Sequence, residues 1–218
     1  ISPIIVDPHK ANEDLKRTDN LMRWYKQIRR QLYGEQTDVR KGFFSVKIST
    51  LSDILPNGSQ LSDTFLFNMG AIESKKFHDF INYSTLDTGN QALCSMMFSD
   101  YQLNTKMDIG FVGSPNIGSV ALNQFKDSEE FRQFSNVFQK NDRIFVVSSI
   151  FGGTGAAGYP IIVKNIRNAG NNTQINNRGD LRDARIGALT VLPYFNVQQD
   201  DNSPISRGDF ISKTKSAL

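Results

Sequence analysis

The sequence predicts an α/β fold, a three-layer, Rossmann-like and mostly parallel sheet with helices on both faces. Three observations lead there. Strand-like and helix-like segments alternate through the second half of the chain. The strongest strands, 143–150 and 186–195, are apolar and lack polar alternation. A glycine loop joins the first of them to a helix. Strands that alternate with helices assemble into parallel sheets, and strands covered on both faces lose their polar positions. Ligands of such sheets bind beyond the carboxyl ends of the strands.

In chain order, Ile4-Ile5-Val6 reads as a short buried strand stopped by Asp7-Pro8. Helical spacing of Leu21, Tyr25, Ile28 and Leu32 predicts a helix over 18–32 that buries this stripe, with Thr18 as N-cap and Gly34 as stop. Arg23, Lys26, Arg29 and Arg30 fall on its other faces, a solvated face or a basic binding surface. A strand is expected over 42–49, then a loop with one helical turn over 51–70. Helices follow over 75–83, where Phe77, Phe80 and Ile81 form a core face, and over 89–98, where Leu93, Met96 and Met97 form another.

A strand over 107–112 ends in Gly113-Ser114-Pro115. Helices over 120–125 and 128–139 come next, the second with Phe131, Phe134 and Phe138 on one side. After strand 143–150 and its glycine loop, a helix spans 156–168, an exposed loop 170–182 and a strand 186–195, with a last helix opening at 209. Asp7, Gly113 and Gly152 thus all lie at strand ends.

Composition narrows the function classes. With 25 Lys and Arg against 22 Asp and Glu, the net charge of +3 is too small to imply nucleic-acid binding without a concentrated patch. No apolar run approaches the roughly 18 to 20 residues needed to span a bilayer. Cys94 is the single cysteine, so no internal disulfide forms. A buried thiol and a reducing, cytoplasmic location are the expectation. His9 and His78 sit far apart, and no cluster has metal-ligand spacing.

The chemistry concentrates in Gly152-Gly153-Thr154-Gly155-Ala156. Glycines let backbone approach a ligand closely, and the following helix offers free N–H groups and a positive dipole end, both suited to phosphate oxygens. Thr154 adds a hydroxyl, and Ala156 keeps the first turn open. A lysine-bearing phosphate loop is absent, since no Gly-Lys-Ser/Thr occurs. Gly153-x-Gly155-x-x-Gly158 satisfies the dinucleotide fingerprint, but the next strand ends Leu192-Pro193-Tyr194-Phe195-Asn196 without the ribose-binding acid.

The same loop resembles the Gly-Gly-Thr-Gly-Ser/Ala signature of the tubulin/FtsZ superfamily, with Pro160 shortly after it as in bacterial FtsZ. Asp7 is similar to the acid of the family's second nucleotide loop. Gly110-Phe111-Val112-Gly113-Ser114-Pro115 takes the place of the third, and Leu189-Thr190-Val191-Leu192-Pro193-Tyr194-Phe195 that of the ribose-side loop. The whole looks like a divergent bacterial tubulin-like nucleotide-binding domain over 1–218. By this resemblance the first strand and its glycine loop would precede Asp7, and the activation domain would follow Leu218.

The resemblance implies a protein that binds GTP or GDP with Mg²⁺ and associates head to tail into filaments, a neighbouring subunit completing GTP hydrolysis. The nucleotide-binding set it implies is Asp7, Gly113, Ser114, Gly152, Gly153, Thr154, Gly155 and Ala156, with Asp7 acting indirectly on the metal. Two alternatives stand beside it: a NAD- or FAD-dependent oxidoreductase on the fingerprint match, and a non-hydrolysing structural protein of the same fold. Phe151, Ala157 and His9, which depart from the family pattern, keep the second of these open.

Overall fold

The computed structural model describes residues 1–9, 12–55, 61, 63–67, 69, 72, 75–108, 110, 111, 113–193, 212, 214 and 215. It is a mixed α/β structure dominated by helices. Helix α1 (Glu13–Tyr33) begins earlier than the apolar spacing predicts, because Asn12 caps it: its side-chain oxygen accepts the Asp14 N–H at 2.8 Å. Glu13 and Asp14 favour the positive end of the helix. Thr18 lies inside the helix and donates its hydroxyl to the Asp14 carbonyl at 2.8 Å. Gly34 ends it at φ 56°, a left-handed value that glycine adopts without strain.

The expected apolar face of α1 does not turn inward. Leu21, Ile28 and Leu32 are exposed, Tyr25 alone of the stripe is partly buried, against Phe43 and Phe44, and the buried residues are Asp19 and Arg29. Polar anchors set this orientation. Asp19 accepts the Phe65 N–H at 3.1 Å and the Arg23 Nε–H at 2.7 Å, while Arg29 donates to the Gln36, Gly34 and Ser45 carbonyls. Lys26 bridges Asp53 at 2.6 Å and Asp63 at 3.2 Å, fixing α1 to the short helix α2 (Leu51–Ile54). Burial holds the Lys26 charge back, but its bonds to Asp53 and Asp63 outweigh that and raise its pKa.

The strand expected over 42–49 is a turn and an extended run instead. Gly42 sits at φ 102°, Ser45 N–H bonds back to the Gly42 carbonyl, and Phe43 and Phe44 stack on Tyr25. Nor do the described members of 107–112 form a strand. Gly110 lies at φ 91° and its N–H closes a turn on the Met107 carbonyl at 3.3 Å.

Helix α3 (Phe77–Phe80) is shorter than the expected 75–83, since Asn82 adopts a left-handed conformation. Phe77 and Phe80 are buried as the spacing predicts. Helix α4 (Thr88–Met97) reverses the expectation: Leu93, Met96 and Met97 are exposed, Met96 at 85%, and Cys94 is only partly buried. Helices α5 (Asp100–Leu103), α6 (Pro115–Leu122) and α7 (Glu129–Val137) follow. Ser128 caps α7, and Phe131 and Phe138 enter the core.

Strand β1 (Arg143–Ser149), helix α8 (Gly153–Arg167), helix α9 (Arg178–Arg182) and strand β2 (Arg185–Val191) complete the described elements. The segment 170–182, expected as loop, therefore holds a short helix. The two strands pair in parallel, Arg143 with Arg185 through Ser149 with Val191. Ile5 adds an isolated parallel bridge to Leu66.

In place of the expected three-layer sheet, the described residues form one two-stranded parallel sheet. Ile144 and Ile186 pack into a core with Phe131, Phe138 and Ile166, whereas Phe145 and Val147 on the opposite face are 65% and 64% exposed. The Phe145 ring lies over Gly187 of the neighbouring strand, where an added Cβ would come within 2.7 Å of it. A second core gathers Phe67, Phe77, Phe111, Ile117, Leu122 and Ala157. The end of the expected strand 186–195 and most of the expected helix from 209 lie outside the described residues.

Candidate functional site

Pairing in parallel continues one bond past β1, with the Ile150 N–H donating to the Val191 carbonyl at 3.2 Å. The chain then turns through Phe151 and Gly152 into α8. Gly152 is extended (φ −100°, ψ 168°), and its carbonyl accepts the first helical bond, from Ala156 N–H at 3.3 Å. That leaves the amides of Gly153, Thr154 and Gly155 without hydrogen-bond partners among the described residues. These are the orphan donors that open every helix.

Each glycine here has a different reason. A Cβ on Gly155 would lie 2.2 Å from the Ser149 carbonyl oxygen, so the first turn of α8 passes directly over the end of β1. On Gly153 it would come 3.0 Å from Phe111 Cβ, 3.2 Å from Ser114 N and 3.3 Å from Gly113 N. The side-chain position of Gly153 therefore faces the second loop, and its hydrogen fills the seam between the two loops. A Cβ on Gly152 would meet only Ser149 Oγ, at 3.8 Å, which makes it the open position of the three.

The structure brings Gly113 and Ser114 together with Gly153, although Gly113 follows a turn rather than the expected strand end. Gly113 adopts φ 65°, and Ser114 N–H bonds to the Phe111 carbonyl at 2.8 Å. Ser114 then takes the N-cap position of α6 without a side-chain capping bond, with Pro115 in the first turn, where its missing N–H costs nothing. Helices α6 and α8 cross closely because small residues meet: a Cβ on Gly118 would be 2.8 Å from Ala157 Cβ and 2.9 Å from the Gly153 carbonyl. Two helix starts consequently lie side by side. No charged residue occurs in 110–116 or 149–156, so an anion held here would rest on amides, hydroxyls and helix dipoles.

Two of the expected site residues stand differently. Ala156 is buried in packing, and among the described residues no bond ties Asp7 to either glycine loop. Asp7 Oδ1 accepts the His9 N–H at 2.8 Å, a local turn after the Ile5 bridge. The ribose-side residues after Pro193 lie outside the described residues. Gln102 joins the site in addition to the residues expected from the sequence. Its Nε2 donates to Asn116 Oδ1 at 3.1 Å and Ser114 Oγ at 3.4 Å, holding the start of α6. A capping box with Ser99 fixes Gln102, and the spacing Ser99-x-x-Gln102 is its sequence signal.

The third fingerprint glycine, Gly158, is not packed as a dinucleotide fold requires. A Cβ there would make ordinary contact, 3.4 Å from Leu122 Cδ1. Among the described residues no group of three or more His, Cys, Asp or Glu is placed to hold a metal. Magnesium at nucleotide sites needs only one or two carboxylates besides phosphate and water. No described helix is long and apolar enough to cross a membrane. No protein-family model, no curated protein and no solved structure matches the chain.

Proposed function

We propose that the chain binds the phosphates of a guanine nucleotide at the paired starts of α6 and α8, as a divergent member of the tubulin/FtsZ kind. One observation carries this reading. The two glycine loops that the resemblance assigns to phosphates touch each other at Gly113, Ser114 and Gly153, and the first three α8 amides beside them have no partner among the described residues.

In this reading Gly152, Gly153, Thr154 and Gly155 cradle one phosphate group. Gly113 and Ser114 border the next, and Ala156 supports the turn from within. Mg²⁺ is held by phosphate oxygens and water, with Asp7 acting through that water. GTP against GDP would then order or loosen the two loops. The complete three-layer fold, head-to-tail filaments, a cytoplasmic setting and hydrolysis shared with a neighbouring subunit belong to the same proposal. An oxidoreductase reading has less support, given the loose packing at Gly158 and the missing ribose acid.

Titration with fluorescent GTP and with NADH tests the choice. GTP is expected to bind with Mg²⁺ dependence and NADH not at all. Gly153→Val, whose side chain would wedge Phe111 and Ser114 away, should weaken GTP binding by about tenfold or more. Asp7→Ala should blunt the response to Mg²⁺. Binding of NADH in preference to GTP, or GTP affinity indifferent to Gly153→Val, would remove the reading.

A further inference from the structure

We propose a second binding site, for a small phosphorylated polyol such as a sugar phosphate, at the opposite end of α8 from the nucleotide loops. A cavity of about 480 Å³ opens there between the C-terminal turns of α8, the 3-10 turn Asn123–Asp127 and the segment 168–174. That volume falls in the range of small-molecule sites. Asn165 lies twelve residues along α8 from Gly153, roughly 18 Å away at the helical rise.

Its lining is chemically specific. Lys126 and Lys164 both face the cavity, and neither forms an ion pair among the described residues. Asn165, 5% exposed, lines it too, and its Nδ2 is buried with no hydrogen-bond partner. An unpartnered buried amide costs on the order of 1–3 kcal/mol unless something satisfies it. A half-turn of that amide exchanges its donor and acceptor ends, so it can serve either kind of ligand atom. Asp127 contributes a carboxylate, and the side chains at 123, 168, 171, 172 and 174 are all amides.

Two ammonium groups lining one cavity call for an anion with several oxygens. The carboxylate and the amides, together with the carbonyl-rich end of α8, call for hydroxyl donors. Only a ligand with both parts satisfies the whole wall. Phe131 is fully buried beneath it, and polar groups make up the larger part of the lining.

Calorimetric titration of the full chain with ribose 5-phosphate, inorganic phosphate and ribose tests this. Ribose 5-phosphate should bind saturably, and phosphate or ribose alone at least about tenfold more weakly. Replacing both exposed lysines, Lys126→Met with Lys164→Met, should weaken ribose 5-phosphate by about tenfold or more while leaving thermal unfolding and GTP binding unchanged. Asn165→Asp, which sets a second carboxylate against the anion, should weaken it as well. The proposal is overturned if no probe binds, if the lysine pair can be replaced without effect, or if phosphate alone binds as tightly as the sugar phosphate.

Discussion

Alanine at Gly155 puts a methyl carbon 2.2 Å from the Ser149 carbonyl oxygen, 3.0 Å from Ser149 N and 3.0 Å from Ser149 Oγ. Two of these neighbours are backbone of β1, which cannot swing aside as a side chain would. The start of α8 must lift by about 1 Å to restore contact, and overpacking of this kind costs roughly 1–3 kcal/mol. Against that, alanine in a helix gains up to about 1 kcal/mol over glycine. The net expectation is a loss of about 1–2 kcal/mol. Gly158→Ala supplies the control in the same helix. Its methyl meets only side-chain ends, Leu122 Cδ1 at 3.4 Å and Ile162 Cδ1 at 3.9 Å, so the propensity gain dominates and the variant should be about 0.5–1 kcal/mol more stable. Urea unfolding reads both, as shifts of the midpoint in opposite directions with the slope unchanged. Equal behaviour of the two variants would show that α8 does not pass over the end of β1, and the geometry of the proposed phosphate cradle would fall with it.

Gly118→Ala should cost about 1–3 kcal/mol, because its methyl meets Ala157, Phe111 and the Gly153 carbonyl, and should reduce GTP affinity by separating the two loops. Thermal unfolding and fluorescent GTP titration on one preparation check both effects. Asp19→Ala leaves the Phe65 N–H and the Arg23 Nε–H without their acceptor and should cost about 1–3 kcal/mol, measured by chemical denaturation. For Asp53, burial raises the pKa, but bonds from Lys26 and Thr50 outweigh it and hold the carboxyl below its usual range. A carboxyl depressed on folding contributes stability above its unfolded pKa and loses it as pH falls through the folded value. Acid unfolding should therefore be less steep in Asp53→Asn below the ordinary carboxylate range, and identical acid profiles would refute the bridge.

The elements legible from sequence were those set by neighbours a few residues away. Gly34 ends α1, Ser128 starts α7, and Arg143 to Arg167 holds a strand, a glycine turn and a helix in the expected order, since caps and turns draw on groups within one helical turn. The helix starts at Gly153 rather than at 156, and β1 exposes Phe145 and Val147 instead of being covered on both faces. The expectation that 42–49 and 107–112 are strands failed at Gly42 and Gly110. Apolar alternation carries no mark of whether a glycine will take positive φ or whether a partner strand is available.

Periodicity showed that α1 and α4 have apolar stripes, and only tertiary contacts decided that those stripes face outward. For α1 the deciding contacts are bonds from Asp19 to Phe65 and from Arg29 to the chain after Gly34, over separations that local patterning does not see. The glycines of the site were readable as glycines. That Gly155 touches β1, Gly153 touches Ser114 and Gly158 touches little follows from how α6, α8 and the sheet pack. The amino-acid order determined the candidate phosphate loops, and packing determined that two of them meet while Asp7 bonds to its own turn, because convergence depends on long-range burial that no short window of sequence contains.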